Sequence, residues 1–344
     1  MSDDYLWNRS GAPDPEVERL ERVLGQLRHR ARPLALPPVA VQPRSPAAWR
    51  RYAVPLALAA TVVLMVAGTW QWRPEPAPGR RQASAAGESS GWKVASVSGT
   101  PMLAKAPVNR ESPVAANGWL ETDASSSARV SAGDVGHVDV GPGSRVRVVA
   151  AGPGEHRLAL VRGRLDAFIW ASPGQFFVET PSAVAIDLGC AYTLEVDPDG
   201  AGRLRVTVGW VGFELNGRES LVPAGAVCAT RPGRGPGTPH FEDAAPGFIE
   251  GLARLDSGQP GSREALEQVL SDARSRDALS LWHLLSRLDD PAAGRVYDRL
   301  AVIAPPPPMV TKELALAGDR WALDAWWDTF GLGEAAYFRM WMNR

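Results

Sequence analysis

One apolar segment constrains this 344-residue chain more than any other feature. Residues 52–72 contain 21 positions without a charge, and at about 1.5 Å per residue a helix of this length crosses the roughly 30 Å of a bilayer core. Tyr52, Trp70 and Trp72 lie at its ends, where amphipathic aromatic side chains favour the membrane interface. The long stretch that precedes it disfavours a cleavable signal peptide. The sequence therefore predicts one transmembrane helix over 52–72.

The charges that flank this segment predict its orientation. Arg44, Arg50 and Arg51 precede it, whereas the basic residues that follow are mixed with Glu75 and Glu88. Because basic flanks stay on the cytoplasmic side, we expect a single-pass protein of the inner membrane with a cytoplasmic N-terminus. The C-terminal domains are then expected to be extracytoplasmic.

The predicted cytoplasmic segment, residues 1–51, contains one short amphipathic helix. Its apolar side chains recur at three- and four-residue spacing and form one stripe on a charged helix: Val17, Leu20, Leu24 and Leu27. A helix of about four turns is marginal alone, so it needs a surface to lie on. Two alternatives stay open: the helix is solvated or lies on membrane lipid, or it binds a protein partner.

Short alternating runs fill residues 92–240, after a linker over 73–91 that is rich in Pro, Ala, Gly and Ser. Turn formers separate the runs, which include SARVSA, HVDV, RLDAFIW and AYTLEVD. Asn216 and Gly217 give the best single hairpin signal, because a type I′ turn needs positive φ at both central residues. Many strands without interleaved helices predict an all-β domain, built as a sandwich, a roll or a solenoid-like stack.

Four motifs stand out in this region: TPSA at 180–183, a glycine-initiated strand over 189–196, paired strands around 206–211 and LVPAG at 221–225. In these motifs the region resembles the FecR-type domain, an extracytoplasmic regulatory domain first described in iron-dicitrate signalling. The resemblance covers roughly residues 92–230. It implies an all-β fold and, as in the best-known members, a bitopic protein whose cytoplasmic tail binds a sigma factor.

Residues 241–344 change to a helical period, with apolar residues at i, i+3 and i+4 in segments such as RDALSLWHLLSRL. Several of the 13 tryptophans fall here, and we expect them in the core of a small helical domain. The predicted fold class is therefore multidomain: a single transmembrane helix, an all-β FecR-type domain and a small all-α C-terminal domain.

The two cysteines of the chain, Cys190 and Cys228, are predicted to form a disulfide. Both fall in the β domain, which the predicted topology exports to an oxidising compartment, and an even cysteine count there favours pairing. Two buried free thiols are the alternative.

No arrangement typical of catalysis occurs in the sequence. The five histidines lie in different segments without metal-ligand spacing, and no nucleophile elbow, P-loop or dinucleotide-binding glycine motif appears. We therefore expect no enzymatic activity, no metal and no cofactor. Thirty-seven basic residues against 38 acidic ones give a net charge of -1, which disfavours a nucleic-acid partner.

Two functions from different classes fit these patterns. The first is a membrane-anchored signal-transduction regulator that binds an envelope protein or ligand through its β or helical domain and controls a sigma factor through its cytoplasmic helix. The second is a non-catalytic binding or structural module of the cell envelope, in which the N-terminal segment only completes the anchor. Co-purification of a sigma factor with residues 1–51 would separate the two.

Overall fold

The computed structural model describes residues 89–342, except Pro153 and Gln259. The strands in this part of the chain are, in order, β1 (Ser89–Ser98), β2 (Met102–Leu103), β3 (Ala106–Pro107), β4 (Pro113–Ala115), β5 (Trp119–Glu121), β6 (Ser127–Ala132), β7 (Gly136–Val140), β8 (Arg145–Gly152), β9 (Glu155–Ile169), β10 (Phe176–Glu179), β11 (Val184–Asp187), β12 (Ala191–Val196), β13 (Gly202–Val208), β14 (Trp210–Leu215), β15 (Arg218–Pro223), β16 (Ala226–Arg231), β17 (Gly235–Pro236) and β18 (His240–Phe241).

Helices follow the strands, as the change of period in the sequence predicts. Two 3-10 helices, Ser275–Asp277 and Asp328–Phe330, join them. The α-helices are α1 (Pro246–Ser257), α2 (Ser262–Asp272), α3 (Ala278–Leu285), α4 (Asp290–Ile303), α5 (Lys312–Leu316), α6 (Arg320–Trp327) and α7 (Ala335–Met342).

The strands form two sheets that share β9. In the first sheet the order is β4-β1-β6-β7-β9-β12-β13-β16, and β17 and β18 both pair with β16. In the second sheet the order is β3-β2-β5-β8-β9-β10-β11-β14-β15. Among the described strands, β9 and β10 form the only parallel pair. The sheet system is therefore mixed.

Strand β9 passes from one sheet to the other at Gly163. The residues before this position pair with β8 and β10, and those from it onward pair with β12 and β7. Gly163 has a φ of +94°, and a Cβ at this position would lie 2.3 Å from Ser144 Oγ. Glycine fits because it has no Cβ and tolerates positive φ.

The buried side chains of both sheets belong to one hydrophobic core that continues beneath the helices. Trp92, Phe176 and Phe213 are fully buried in it. The burial of alternate residues along β6 and β7 agrees with the alternation predicted from SARVSA and HVDV. Such alternation is typical of strands with one face on a core and the other on solvent.

Helical residues cover the edge of the second sheet at β15. The Leu221 amide donates a hydrogen bond to His283 Nε2 at 3.1 Å, and Arg287 Nη2 donates to the Glu219 carbonyl at 2.6 Å. These side chains satisfy backbone groups that an edge strand would otherwise leave free for pairing. The described residues belong to one compact unit.

The predicted fold class needs correction. No helix among the described residues is long and apolar enough to cross a membrane, and the predicted transmembrane segment, 52–72, lies outside those residues. The structure shows a large mixed sheet followed by a helical C-terminal region. The parallel pair arises because β9 is long enough to serve both sheets, so that β10 returns beside its first half. The domain boundaries stay a prediction.

Candidate binding surface

The predicted disulfide between Cys190 and Cys228 is absent, because both residues are buried free thiols. Leu194 of β12 pairs with Leu204 of β13, which pairs with Cys228 of β16. Two strand spacings, about 10 Å, therefore separate Cys228 from β12. Cys190 lies still further away, before the start of that strand. Because a disulfide needs Cα atoms within about 7 Å, the register prevents this bond.

Asp187 is a buried carboxyl group at the corner where the chain leaves β11 for β12. Its Oδ1 accepts a hydrogen bond from the Gly189 amide at 2.7 Å, and its Oδ2 accepts one from Cys190 Sγ at 2.6 Å. Burial raises the pKa of Asp187 to about 7, although the hydrogen bonds from Cys190 and Gly189 oppose the rise. Burial likewise raises the pKa of the Cys190 thiol. These groups hold a corner of the fold and offer no reactive thiolate.

An exposed apolar row crosses the outer face of the first sheet. His137 of β7 pairs with Phe168 of β9, and Ala191 of β12 pairs with both Phe168 and Val208 of β13. Phe168 is 44% exposed and Val208 is 61% exposed. Trp170 follows Phe168 at the end of β9 and is 60% exposed. We call His137, Phe168, Trp170 and Val208 the aromatic row.

Contacts within the aromatic row hold its rings in place. The rings of His137 and Phe168 stack with centroids 4.9 Å apart, and the rings of His137 and Trp170 lie 5.9 Å apart. Trp170 Nε1 also donates a hydrogen bond to the Gly133 carbonyl at 3.3 Å. A partner would therefore meet side chains that are already ordered, which lowers the entropic cost of binding.

The charged residues beside the aromatic row are paired with each other. Arg129 makes two hydrogen bonds to Asp139, at 2.5 and 2.6 Å, and Arg164 makes two to Asp166, at 2.8 and 2.9 Å. Arg164 Nη1 also lies 3.1 Å from Glu195 Oε1. Because these acids and bases neutralise one another, this part of the face has no large excess of either charge. It suits an apolar protein surface better than a polyanion.

Sequence reasoning missed the aromatic row, although one signal was present. In RLDAFIW, Phe168 and Trp170 fall in the same alternation phase as Arg164 and Asp166, which places them on the solvent face of the strand. The predicted partner-binding residues of the N-terminal helix, Val17, Leu20, Leu24 and Leu27, lie outside the described residues.

No metal site is assembled in the part of the chain that the structure describes. There, no group of three or more His, Cys, Asp or Glu side chains is arranged to hold a metal ion. The buried His283 has a structural role. Burial lowers the pKa of His283 to about 3, and the charge of Arg287 contributes to the same shift. The neutral ring therefore accepts a hydrogen bond from the Leu221 amide.

Comparisons with known proteins identify the central part of the chain. Residues 119–211 match the model of the family described as FecR protein. No curated protein matches the chain. Two crystal structures of a candidate anti-sigma factor from Parabacteroides distasonis show similarity. The first is 15% identical, with a TM-score of 0.32, and the match covers 40% of this chain and 64% of that chain. The second is 14% identical, with a TM-score of 0.32, and the match covers 44% of this chain and 73% of that chain.

The present chain thus spans 64% of the length of the first of these proteins, and a TM-score of 0.32 does not establish a shared fold. The family match carries more weight. It extends from β5 into β14 and includes the whole aromatic row. Residues 119–211 therefore match the FecR family, which confirms the predicted resemblance for this part of the chain.

Proposed function

We propose that this chain is a FecR-like signal-transduction regulator. In this proposal the FecR-type domain lies outside the cytoplasm and binds a protein partner through the aromatic row, and the N-terminal helix controls a sigma factor. One observation supports it above the others: the aromatic row lies entirely within residues 119–211, which match the FecR family, and its large apolar side chains are exposed.

The composition of the aromatic row favours a protein as the partner that binds outside the cytoplasm. Tryptophan is enriched among the residues that dominate binding energy at protein interfaces, and phenylalanine is enriched in the buried cores of interfaces. Both lie here beside arginines already held by carboxylates. Full burial of Phe168 or Trp170 by a partner would contribute roughly 1.5–3 kcal/mol or more each. Ordering costs would reduce the total.

The proposed cytoplasmic partner, a sigma factor, would bind the apolar stripe of the predicted N-terminal helix. Each of Val17, Leu20, Leu24 and Leu27 would contribute roughly 1.5–3 kcal/mol if fully buried. Four such residues support a modest interface that a single charged substitution disrupts. A sigma factor is proposed because the FecR resemblance implies that kind of partner.

The test is co-purification of sigma factors with the tagged full-length chain from its own cells. We expect a sigma factor to co-purify with the native sequence, and Leu20→Asp and Leu24→Asp to abolish that binding, because each buries a charge in the interface. Arg22→Gln is the matched control, because with about 3.6 residues per turn Arg22 lies on the opposite side of the predicted helix from the stripe. It should leave binding intact.

The outcome also decides between this function and the envelope module. If no sigma factor co-purifies, or if Arg22→Gln weakens binding as much as Leu20→Asp, the helix has no specific sigma-factor contact. The second function would then replace the first, with the FecR-type domain as a non-catalytic binding or structural module of the cell envelope.

A further inference from the structure

A cluster on the second sheet combines one tryptophan with several cations. The guanidinium carbon of Arg145 lies 4.2 Å from the ring centroid of Trp119, and that of Arg147 lies 5.1 Å from it. Both arginines project from β8 beside the tryptophan of β5. We call Trp119, Arg145, Arg147, Arg162 and Lys105 the tryptophan–arginine cluster.

Strand register brings these residues together from distant parts of the chain. Trp119 pairs with Arg147, and Arg145 pairs with Arg162 on β9. Lys105 lies in the β2–β3 turn, next to Ala104, whose amide donates a hydrogen bond to the Trp119 carbonyl at 2.9 Å. The cluster spans about two strand spacings of sheet, roughly 10 Å, and the turn beside it.

The cluster carries an excess of positive charge. Four of its five members are basic, and among the described residues the one carboxylate that pairs with any of them is Glu121, whose Oε1 lies 3.2 Å from Arg145 Nε. Four positive charges and one negative charge leave a net charge of +3. Within residues 89–342, Arg147 and Arg162 make no ion pair, and Arg147 Nε is buried without a hydrogen-bond partner. This differs from the surroundings of the aromatic row, where the arginines pair with acids.

We propose that the tryptophan–arginine cluster binds an acidic segment of a protein partner. Guanidinium groups fit carboxylates with two parallel hydrogen bonds, and stacking on the Trp119 ring holds two of them in fixed positions. Tryptophan and arginine are also the residue types most enriched at the energetic centres of protein interfaces. The cluster's net charge of +3 is complementary to a short run of Asp or Glu.

Size and total charge favour a protein over a nucleic acid as the partner. A nucleic-acid site follows several phosphates along a basic stripe, usually on a basic domain. This cluster is compact and holds one tryptophan, and the chain has a net charge of -1 with a pI near 6.5. The site is distinct from the aromatic row and does not depend on the sigma-factor proposal, which concerns the N-terminal helix.

The test measures binding of a fluorescein-labelled deca-glutamate peptide to the full-length chain by fluorescence anisotropy at low ionic strength. We expect saturable binding that weakens as salt rises. Arg147→Gln and Arg162→Gln should each weaken it roughly tenfold, since each removes a charged hydrogen-bonding group. Arg203→Gln changes an exposed arginine of the first sheet and is the matched control. Arg203→Gln should bind the peptide with the same affinity as the native chain.

The unfolding midpoint of each variant establishes whether it is folded. If Arg147→Gln does not fold, Arg162→Gln still tests the proposal, because Arg162 is exposed. Absence of binding overturns the proposal. So does equal weakening by Arg203→Gln, because the attraction would then be non-specific. Tighter binding of a single-stranded oligonucleotide than of the peptide, with the same dependence on Arg147 and Arg162, would overturn the assignment to an acidic protein segment.

Discussion

Asp187 couples the stability of one corner of the fold to pH. The folded state raises the pKa of this carboxyl group from 3.8 to about 7, chiefly because it is buried. Between these two values the folded protein holds a proton that the unfolded chain has released. The stabilisation from protonated Asp187 is therefore complete below about pH 4 and is lost as pH rises through about 7.

Replacement of Asp187 by asparagine should remove this dependence. From pH 4 to pH 8 the native chain should lose up to about 4 kcal/mol of unfolding free energy through this group, whereas Asp187→Asn should not. Urea unfolding followed by tryptophan fluorescence measures the difference between the two proteins at each pH. The opposite contribution of His283, which falls as pH drops below about 6.5, is common to both proteins and cancels.

Asp199→Asn is the control for this experiment, because Asp199 lies in an exposed turn where its Oδ1 accepts only a local amide hydrogen bond, from Ala201 at 3.0 Å. Its stability should follow the native curve at every pH. If Asp187→Asn also follows that curve, burial of this carboxyl group does not control the pH dependence.

At the scale of elements, local sequence patterns predict turns and strands, but they do not predict which strands pair. Asn216 and Gly217, with φ of +52° and +80°, form the predicted hairpin turn between β14 and β15. Gly163 lies inside β9, where its positive φ serves a change of sheet and not a turn, so a glycine between two alternating runs does not by itself mark the end of a strand. The parallel partner of β9 could not be predicted, since pairing depends on distant residues.

The same limit applies to the two candidate surfaces. The solvent phase of Phe168 and Trp170 can be deduced from strand alternation. The approach of Arg147 to Trp119 cannot, because it depends on the register between β5 and β8. The distance between Cys190 and Cys228 depends on register in the same way, and the disulfide prediction was wrong for that reason.

The aromatic row yields a prediction at this scale. Trp170→Ser should lower the unfolding free energy by roughly 1 kcal/mol and leave the chain folded, because the side chain is 60% exposed but gives up its contact with His137 and its hydrogen bond to the Gly133 carbonyl. It should strongly reduce induction of a sigma-dependent reporter, because a tryptophan at the centre of an interface contributes about 2 kcal/mol or more. Trp321→Ser, at an equally exposed tryptophan of α6, is the matched control. Equal effects of both substitutions on the reporter would contradict the prediction.

At the scale of the whole unit, the helices and the sheet share buried polar contacts as well as a core. The Arg287 side chain is 6% exposed and donates hydrogen bonds to Ser220 Oγ at 2.8 Å and Thr238 Oγ1 at 3.1 Å, in addition to the Glu219 carbonyl. Trp327 lies 5.8 Å from Trp210 of β14, measured between ring centroids. Helices and strands held in this way should unfold together.

Arg287→Met tests this cooperativity. It keeps most of the side-chain volume but leaves the Glu219 carbonyl and two hydroxyl groups without their buried donor, so it should cost roughly 3 kcal/mol. Far-ultraviolet circular dichroism and tryptophan fluorescence should report one coincident transition at a lower temperature. Arg295→Met removes an exposed ion pair with Glu267 and should cost under about 1 kcal/mol. If Arg287→Met melts the helical signal first and leaves the sheet folded, the helices after residue 245 form an independent domain, as the sequence alone suggested.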